Sequence, residues 1–313
     1  MKKKSYVSGI LTLSVIIVNY NTRNLLSDCL FSLKEEYEKK NWVPIEIIVV
    51  DNASKDGSIK MVRTRFPFVQ VIKNTRNVGF AKANNQGIKK ASGQFILLLN
   101  SDTKVFPTTL KNIISPFFHL KHLAVTGGKL LNADGSIQPS AGFSPTLLRV
   151  VLWMLFLDDI PWIQRLIRPY HITDTSLYQK DTLVDWVSGA CFCIRRDVID
   201  AVGPLDERFF MYGEEVEWCY RIRKAGYRVL FTSSSPLYHY KGGSSKEKGE
   251  SGIVEEFQGL LSLYKKHYSF GRRIILRMIL ALGALLRIIV FGIIGKYPKR
   301  RGLYAKAFEM ARQ

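Results

Sequence analysis

Short apolar runs that end in polar residues recur along the first hundred positions of the chain. Residues 14–18 (SVIIV), 45–50 (IEIIVV) and 95–99 (FILLL) each fit a strand that is buried on both faces. Residues 22–38 and 80–88 lie between such runs and have apolar positions at helical spacing. Strands that alternate with helices predict an α/β fold with a mixed, mostly parallel sheet flanked by helices.

Each of these three runs ends in a cluster of polar side chains. The clusters are Asn19-Tyr20-Asn21, Asp51-Asn52 and Asn100-Ser101-Asp102. In open α/β sheets, ligands bind at the carboxyl ends of the strands. We therefore expect the three clusters to form one shared site.

The second half of the chain is less regular. We predict an apolar aromatic segment, a strand, a helix that ends at Gly226, a second strand and a loop rich in Gly, Ser and Lys. These elements correspond to residues 145–168, 183–194, 214–225, 227–231 and 241–252.

The most hydrophobic segment, residues 272–295, lies near the carboxyl end and is followed by the basic run KYPKRR. It is long enough to span a bilayer, but Arg277 and Arg287 interrupt it. A charge at the bilayer centre costs roughly 2.5–3.5 kcal/mol on insertion scales. The alternatives are a spanning helix, an amphipathic helix lying on the membrane, and a buried core helix or an oligomer contact. We favour membrane association, and divide the chain into a catalytic domain (1–265) and a basic apolar extension (266–313).

The net charge of +20 points to an anionic partner, but only some classes of partner fit. Residues 272–313 contribute +9 of this charge beside an apolar helix, and no nucleic-acid-binding motif is recognisable. We therefore expect an anionic membrane surface and phosphorylated substrates, and no nucleic acid. Cys191 and Cys193 lie in an apolar run, where buried strand thiols are favoured over a metal pair.

Two aspartates at strand ends are candidates for nucleotide chemistry. Asp51 has a side chain that can accept the N3–H of a uracil or thymine ring, and it is equally suited to cap a helix. Asp102 has the hard oxygen ligands that a divalent cation prefers when it neutralises a diphosphate leaving group. Because each aspartate follows a predicted buried strand, we expect both to face one crevice.

An acidic cluster and a histidine complete the candidates. Glu214, Glu215 and Glu217 lie in the segment FFMYGEEVEWCYRIR. A partly buried carboxylate there can act as a general base, or the cluster can be a solvated helix start. His239 follows the strand predicted at residues 227–231. There it can contact a metal or a diphosphate, or it can have a structural role.

Four segments in order resemble the family 2 glycosyltransferases of the GT-A fold, and most closely the bacterial rhamnosyltransferase-like branch. They are SVIIVNYNT, EIIVVDNASKDGS, NVGFAKANNQGI with ILLLNSDT, and VSGACFCIRRDVIDAVGPLDERFFMYGEEVEWCYRIRKAGY. The resemblance covers roughly residues 12–245. It implies a GT-A (Rossmann-like) fold and a nucleotide-diphospho-sugar donor.

The resemblance also implies roles for individual residues. Asp51 would bind the base, and Asp102 would hold Mg²⁺ or Mn²⁺, with His239 as a second ligand. Asn100 stands where a first aspartate of the D-x-D-type motif could stand. Many relatives have Gly-Glu-Asp where this chain has Gly213-Glu214-Glu215, so Glu215 is the expected base and Glu214 its competitor. The expected donor-binding set is Asn19, Tyr20, Asp51, Asn52, Asn77, Gly79, Asn84, Asn100, Ser101 and Asp102. We expect Trp186 and Glu217 to contact the acceptor.

The implied reaction is inverting transfer of a sugar to a hydroxyl of a glycan or a polyprenyl-diphosphate-linked acceptor. The setting would be cell-surface polysaccharide synthesis at the cytoplasmic face of the bacterial membrane, and rhamnose is the sugar that the resemblance suggests. A sugar nucleotidyltransferase would need a glycine-rich loop after the first strand, where this chain has NYNTRN. A catalytically inactive scaffold is disfavoured because Asp51, Asp102 and Glu214/Glu215 are all present.

Overall fold

The computed structural model describes residues 12–38, 43–240, 252–294 and 298–312. Two predicted segments, the basic amino-terminal tail and almost all of the loop at 241–252, lie outside these residues. The strands are β1 Leu13–Asn19, β2 Ile45–Asp51, β3 Gln70–Lys73, β4 Phe95–Asn100, β5 Thr103–Val105, β6 Leu123–Leu131, β7 Ala141–Gly142, β8 Thr182–Val184, β9 Trp186–Val187, β10 Cys191–Arg195 and β11 Arg228–His239.

Eleven α-helices lie between and after these strands in the part of the chain that is described. They are α1 Arg23–Glu38, α2 Ser58–Arg65, α3 Phe80–Lys90, α4 Thr109–Ile114, α5 Leu147–Met154, α6 Pro161–Ile167, α7 Arg196–Val202, α8 Glu214–Lys224, α9 Gly252–His267, α10 Phe270–Ile294 and α11 Pro298–Arg312. The helices predicted in the first hundred residues, and the one that ends before Gly226, agree with α1, α3 and α8.

The main sheet has the strand order β3-β2-β1-β4-β10-β6-β11-β5, with β8 paired to β11. Strands β1 to β4 are mutually parallel, whereas β10 runs antiparallel to β4 and β6. Alternate residues of each central strand enter opposite cores: Ile16 packs into one cluster and Val15 into the other. This two-sided burial explains why the central strands are continuous apolar runs.

The strand predicted at residues 183–194 is interrupted in the structure. The segment divides into β8, β9 and β10, which pair with β11, β7 and β4 respectively. A turn at residues 188–190, where the Cys191 N–H donates to the Ser188 carbonyl, separates β9 from β10. The alternation of apolar residues in the sequence continues through residues 188–190, so it does not indicate that the strand is interrupted there.

The strand predicted at residues 227–231 is longer than expected. β11 continues to His239 through a register shift between Thr232 and Pro236. Asp181 stabilises the irregular segment by accepting hydrogen bonds from the Ser233 backbone N–H and hydroxyl. The polar SSSP stretch does not fit a strand pattern, so the second half of β11 was not predicted. This second half ends at His239 and places it beside the cluster Asn100-Ser101-Asp102.

The two carboxyl-terminal helices form an antiparallel hairpin that packs on the rest of the protein. Leu276 and Leu280 of α10, with Tyr304 and Ala307 of α11, belong to the same buried cluster as the central strands. Gly283 lies against α5, since a Cβ there would be only 2.5 Å from the Met154 side chain. The division of the chain at residue 265 stays a prediction, but α10 and α11 share a core with the preceding elements.

Arg287 of α10 is buried, and its guanidinium joins three elements. It donates to the Tyr304 hydroxyl at 2.7 Å and to the carbonyls of Trp153 and Met154, and it lies over the Phe156 ring. Replacing Arg287 by alanine is expected to destabilise the protein by about 3–5 kcal/mol, because the buried carbonyls and hydroxyl lose their donor. Urea unfolding of Arg287→Ala against Arg272→Ala, an exposed control on the same helix, measures this effect. Equal midpoints for the two variants would contradict it.

Candidate active site

The polar ends of β1 and β2 are joined by side-chain hydrogen bonds. Asn19 and Asp51 are paired in register, and the Asn19 amide donates to Asp51 Oδ1 at 2.8 Å and to Ser54 Oγ at 2.9 Å. Asp51 Oδ2 accepts the Ser54 backbone N–H at 3.0 Å. Asp51 is fully buried, so the carboxylate holds the loop after β2. A contact with a nucleotide base would use the lone pairs that these bonds leave.

The stretch expected to line the nucleotide pocket lies beside this loop. The Asn52 amide donates to the Gly79 carbonyl at 3.3 Å, and Asn77 Oδ1 accepts the Gly79 N–H at 3.0 Å. Gly79 has φ +86°, and a Cβ there would be 2.6 Å from the Phe210 carbonyl oxygen. Glycine is therefore required for both its backbone conformation and the close approach of the 204–212 loop. The buried Asn84 amide donates to the Phe80 carbonyl, and Tyr20 is half-buried after β1.

The cluster after β4 is brought next to β1 and to the end of β11. Ser101 Oγ lies 2.8 Å from Thr22 Oγ1, which in turn donates to Asn19 Oδ1. Asp102 Oδ1 lies 3.3 Å from His239 Nε2, and the Asn100 amide nitrogen lies 3.2 Å from the same ring nitrogen. The structure thus brings together the two residues predicted as metal ligands, although they are 137 positions apart in the sequence.

The proton position on His239 follows from its other hydrogen bonds. The Gln138 amide nitrogen donates to Asn132 Oδ1 at 2.8 Å and to the His239 carbonyl at 3.3 Å, which fixes the orientation of that amide. Gln138 Oε1 must then accept, at 2.6 Å, from an Nδ1–H of His239. In the neutral ring, Nε2 therefore presents a lone pair towards the Asp102 carboxylate.

A lone pair and a carboxylate oxygen at 3.3 Å repel each other unless a proton or a cation lies at that position. A carboxylate oxygen and an imidazole nitrogen with a fixed tautomer suit Mn²⁺, and the carboxylate suits Mg²⁺. In the described residues, no group of three or more His, Cys, Asp or Glu side chains is arranged to hold a metal. The residues present thus fit a divalent cation that completes its coordination with diphosphate oxygens and water.

Two adjacent glutamates begin α8, and burial changes the acidity of both. Burial, reinforced by the charge of Glu215, raises the pKa of Glu214 well above its ordinary value. Burial also raises the pKa of Glu215, and the charge of Glu256 adds to that effect. Glu214 is 3% exposed and its Oε2 has no hydrogen-bond partner among the described residues. Glu215 is half-buried, and its Oε2 accepts the Gly213 N–H at 3.1 Å.

Tyr212 is influenced by both groups of carboxylates and was missed by sequence reasoning. Burial raises the pKa of its hydroxyl, and so do the negative charges of Glu255, Glu215, Glu214 and Asp102. Its backbone has φ +70°, an unusual conformation for a residue with a side chain. The tyrosine of FFMYGEE was visible in the sequence, but the influence of the distant Asp102 on it depends on the fold.

Glu217 does not reach this site. It is fully buried, and its carboxylate accepts from Arg221 at 2.9 Å, Lys266 at 2.7 Å and His267 at 2.9 Å. Burial favours a raised pKa, but these hydrogen bonds and charges outweigh it and hold the pKa of Glu217 below its ordinary value. An acceptor contact does not fit this environment. Glu217 instead joins α8 to the end of α9.

Trp186 is also placed inside the protein. Its indole N–H donates to the carbonyls of Tyr170 and Phe143, and its ring packs on Tyr170 and His171. His171 pairs with Glu256 at 2.8 Å. Trp186 therefore supports the region around Glu256 and Glu215, and its own ring has little surface for an acceptor.

All four cysteines are free and buried. Burial raises the pKa of Cys191 to about 12, so this thiol is protonated and unreactive at neutral pH. The expectation that Cys191 and Cys193 are buried strand thiols is confirmed.

The main sheet is nine-stranded and mixed, it holds an Asp–His pair after β4 and at the end of β11, and two adjacent glutamates begin α8. The model of glycosyl transferase family 2 matches residues 14–203, and the chain belongs to this family. The N-acetylglucosaminyl-diphospho-decaprenol L-rhamnosyltransferase of Mycobacterium tuberculosis is 26% identical over 253 residues, which cover 74% of this chain and 77% of the relative. The low-salt glycan biosynthesis hexosyltransferase Agl10 of Haloferax volcanii is 26% identical over 69% of this chain and 63% of its own length.

Solved structures agree on the fold. The mannosyltransferase PcManGT from Pyrobaculum calidifontis, in complex with GDP-Man and Mn²⁺, covers 97% of this chain and 86% of its own, with a TM-score of 0.57 and 16% identity. GalNAc-T7 with UDP, GalNAc and Mn²⁺ covers 74% of this chain and 43% of its own, with a TM-score of 0.52 and 20% identity. The chain has the GT-A fold and is a family 2 glycosyltransferase similar to a rhamnosyltransferase, as the resemblance implied.

Proposed function

We propose that this protein is an inverting, metal-dependent glycosyltransferase that moves a sugar from a nucleotide diphosphate to a hydroxyl of a lipid-linked saccharide. The observation that carries the proposal is the pairing of Asp102 with the Nε2 lone pair of His239. A second acidic group supports it: Glu215 is partly exposed and burial raises its pKa, and the charges of Glu215 and Asp102 both raise the pKa of the Tyr212 hydroxyl.

Each residue has a defined task in this reaction. Asp102 and His239 would hold Mg²⁺ or Mn²⁺, and the cation would supply positive charge to the leaving diphosphate. Asn100, whose amide nitrogen lies 3.2 Å from His239 Nε2, would hold the imidazole beside Asp102 until the cation takes that lone pair. Asp51 and Asn19 order the loop that would meet the base, and Asn77 positions Gly79 for close contact with the nucleotide.

Glu215 acts as the general base. The acceptor hydroxyl gives its proton to Glu215 while its oxygen bonds to the anomeric carbon, and the bond from that carbon to the diphosphate oxygen breaks. Attack from the face opposite the diphosphate inverts the configuration, and no covalent intermediate with the protein forms. Glu214, the more deeply buried carboxyl, takes up a proton first and so leaves Glu215 as the anion.

The acceptor and the location are inferred from a relative and from surface chemistry. The mycobacterial relative is named for a diphospho-decaprenol substrate, and this chain carries an exposed apolar helix beside basic residues. We therefore place the enzyme at the cytoplasmic face of the bacterial membrane, with a polyprenyl-diphosphate-linked acceptor. dTDP-rhamnose is the first donor to test, because a thymine ring offers the N3–H expected to meet Asp51.

The proposal is tested with a panel of nucleotide sugars. In Mn²⁺ or Mg²⁺, one donor is expected to raise the Tm by several degrees and to be hydrolysed slowly, because the ligand binds only the folded state. EDTA should remove both effects. The absence of any stabilising donor would overturn the proposal. Release of pyrophosphate from a sugar phosphate and a nucleoside triphosphate would instead identify a nucleotidyltransferase. Donor binding without hydrolysis or transfer would identify an inactive scaffold.

A further inference from the structure

The outer side of α10 is an apolar surface with no covering element in the described part of the chain. Ile274, Met278, Leu282, Leu285, Ile289 and Ile293 are all exposed, with Leu282 at 65% and Ile293 at 81%. Their spacing places them on one side of the helix, over roughly 30 Å at 1.5 Å per residue. Below, "outer face" means these six residues. An uninterrupted apolar face of this length is unusual on a soluble monomer.

The opposite side of the same helix is buried in the protein along its length. Leu276, Leu280, Ala284 and Arg287 face α5, α9 and α11, and the Phe291 ring stacks on Tyr304. Arg277 donates to the Ala311 carbonyl, so the two arginines that interrupt the apolar run, Arg277 and Arg287, are both directed to protein partners. The two charges that made a lipid-facing location costly are therefore absent from the outer face.

This packing decides between the modes of membrane contact. Among the described residues, α10 is the one helix long and apolar enough to cross a bilayer. A spanning α10 would draw α11 into lipid, but Lys299, Arg300, Arg301 and Lys306 of α11 are exposed and charged. A helix that keeps its inner side in the protein core and its outer face bare fits a bilayer surface, with its axis in the membrane plane.

The charges at both ends of α10 indicate the kind of surface. Arg272 is exposed before the outer face, and Lys299, Arg300 and Arg301 are exposed after it. Residues 272–313 contain ten Lys or Arg and one Glu. An apolar face between two basic ends is complementary to acyl chains below anionic headgroups. A second copy of this chain would carry the same basic residues to the same place.

We propose that the outer face of α10 inserts into the interface of an anionic bilayer without spanning it, with Arg272, Lys299, Arg300 and Arg301 on the headgroups. The proposal deepens the proposed function, since it gives the means by which the enzyme meets a lipid-linked acceptor, but its argument does not depend on the donor or the acceptor. α5, which packs on α10, has exposed Leu148 and can widen the contact.

Flotation with preformed vesicles tests the docking surface. The full-length protein is expected to float with phosphatidylglycerol-containing vesicles and to bind phosphatidylcholine vesicles more weakly. Leu282→Glu with Ile289→Glu should lower the partition coefficient by roughly a hundred-fold or more, because two apolar side chains can then no longer be buried among the acyl chains. Leu120→Glu, an exposed leucine outside the outer face, is the matched control and should float like the parent.

Single cysteines at positions 274, 282 and 293, each carrying a fluorophore, distinguish the two modes of insertion. Lying in the plane predicts equal, shallow quenching by nitroxide lipids at all three positions, whereas a spanning helix predicts deep quenching at 282 alone. The proposal would be overturned if the double glutamate variant floated like the parent, or if the quenching profile were that of a spanning helix. It would also be overturned if the parent bound no vesicles but self-associated, and the double glutamate variant did not self-associate. Donor hydrolysis in detergent-free solution should be unchanged in the variant, which separates failure of docking from failure of the proposed function.

Discussion

Asp102→Ala is expected to lower sugar transfer by roughly 10³-fold or more, about 4 kcal/mol in the barrier. The reason is the pairing of Asp102 Oδ1 with His239 Nε2 at 3.3 Å, which leaves a single carboxylate for the cation among the residues of this pair. Loss of that carboxylate removes the negative charge that would retain Mn²⁺ beside the diphosphate. Transfer should be measured at saturating donor, with Mn²⁺ binding followed by electron paramagnetic resonance.

The control for this variant is Asp197→Ala. Asp197 is exposed and paired to Arg195 at the surface, where an ion pair contributes little to stability. It should keep parental activity and Mn²⁺ affinity. If Asp102→Ala kept more than a tenth of the transfer rate and the same Mn²⁺ affinity, the assigned metal site would be wrong.

Glu215→Gln is expected to lower kcat by roughly 10³-fold while donor binding stays nearly unchanged. Glutamine fills the same volume but cannot accept the proton of the acceptor hydroxyl, and general base catalysis contributes about 10²–10⁴-fold. Glu215→Asp should restore part of the rate, because it keeps a carboxylate. Glu214→Gln is the matched variant one residue away, and it should retain most activity, since Glu214 is the protonated member of the pair. The reverse order of the two glutamine variants would make Glu214 the base.

The pH profile gives a second measure of the base. A base works only when deprotonated, so kcat falls as the pH falls through its pKa. Because burial raises the pKa of Glu215, the acid limb should lie above the ordinary glutamate value of 4.5. Linkage has the opposite sign: a carboxyl whose folded pKa is raised contributes stability at low pH, and this stability is lost as the pH rises through that pKa. Glu214→Gln should therefore raise Tm at pH 8 more than at pH 5.

The parallel half of the sheet could be predicted from the sequence because both faces of those strands are buried. Two-sided burial produces short, continuous apolar runs, and these are typical of central strands in an α/β sheet. It also predicted that Asn19, Asp51 and Asp102 would meet, since the carboxyl ends of parallel strands share one edge. The antiparallel half was harder. Strands β8 to β10 are two to five residues long, and β11 crosses a polar irregularity at residues 233–235.

The remaining site features depend on contacts that no local pattern encodes. Gln138 fixes the His239 tautomer across 101 positions, and Lys266 and His267 contact the Glu217 carboxylate from another helix. Glu217 resembled Glu214 and Glu215 in the sequence, yet burial with three hydrogen-bonding partners gives it a structural role. The inward direction of Arg287 was likewise hidden, because hydropathy counts a charge without saying which side of the helix it faces.

The link between α8 and α9 through Glu217 has a geometric consequence. Gly213, which precedes Glu214 and Glu215, also approaches Gly259 of α9, and only two residues separate α9 from α10. If the outer face of α10 rests on the bilayer, the height of Glu215 above the lipid headgroups is set by packed helices and cannot drift as it would on a flexible tether. The enzyme would then select acceptors by the distance of the reacting hydroxyl from the membrane. A hydroxyl that lies one sugar too near to the membrane or too far from it would not reach Glu215, whatever the chemistry of that sugar.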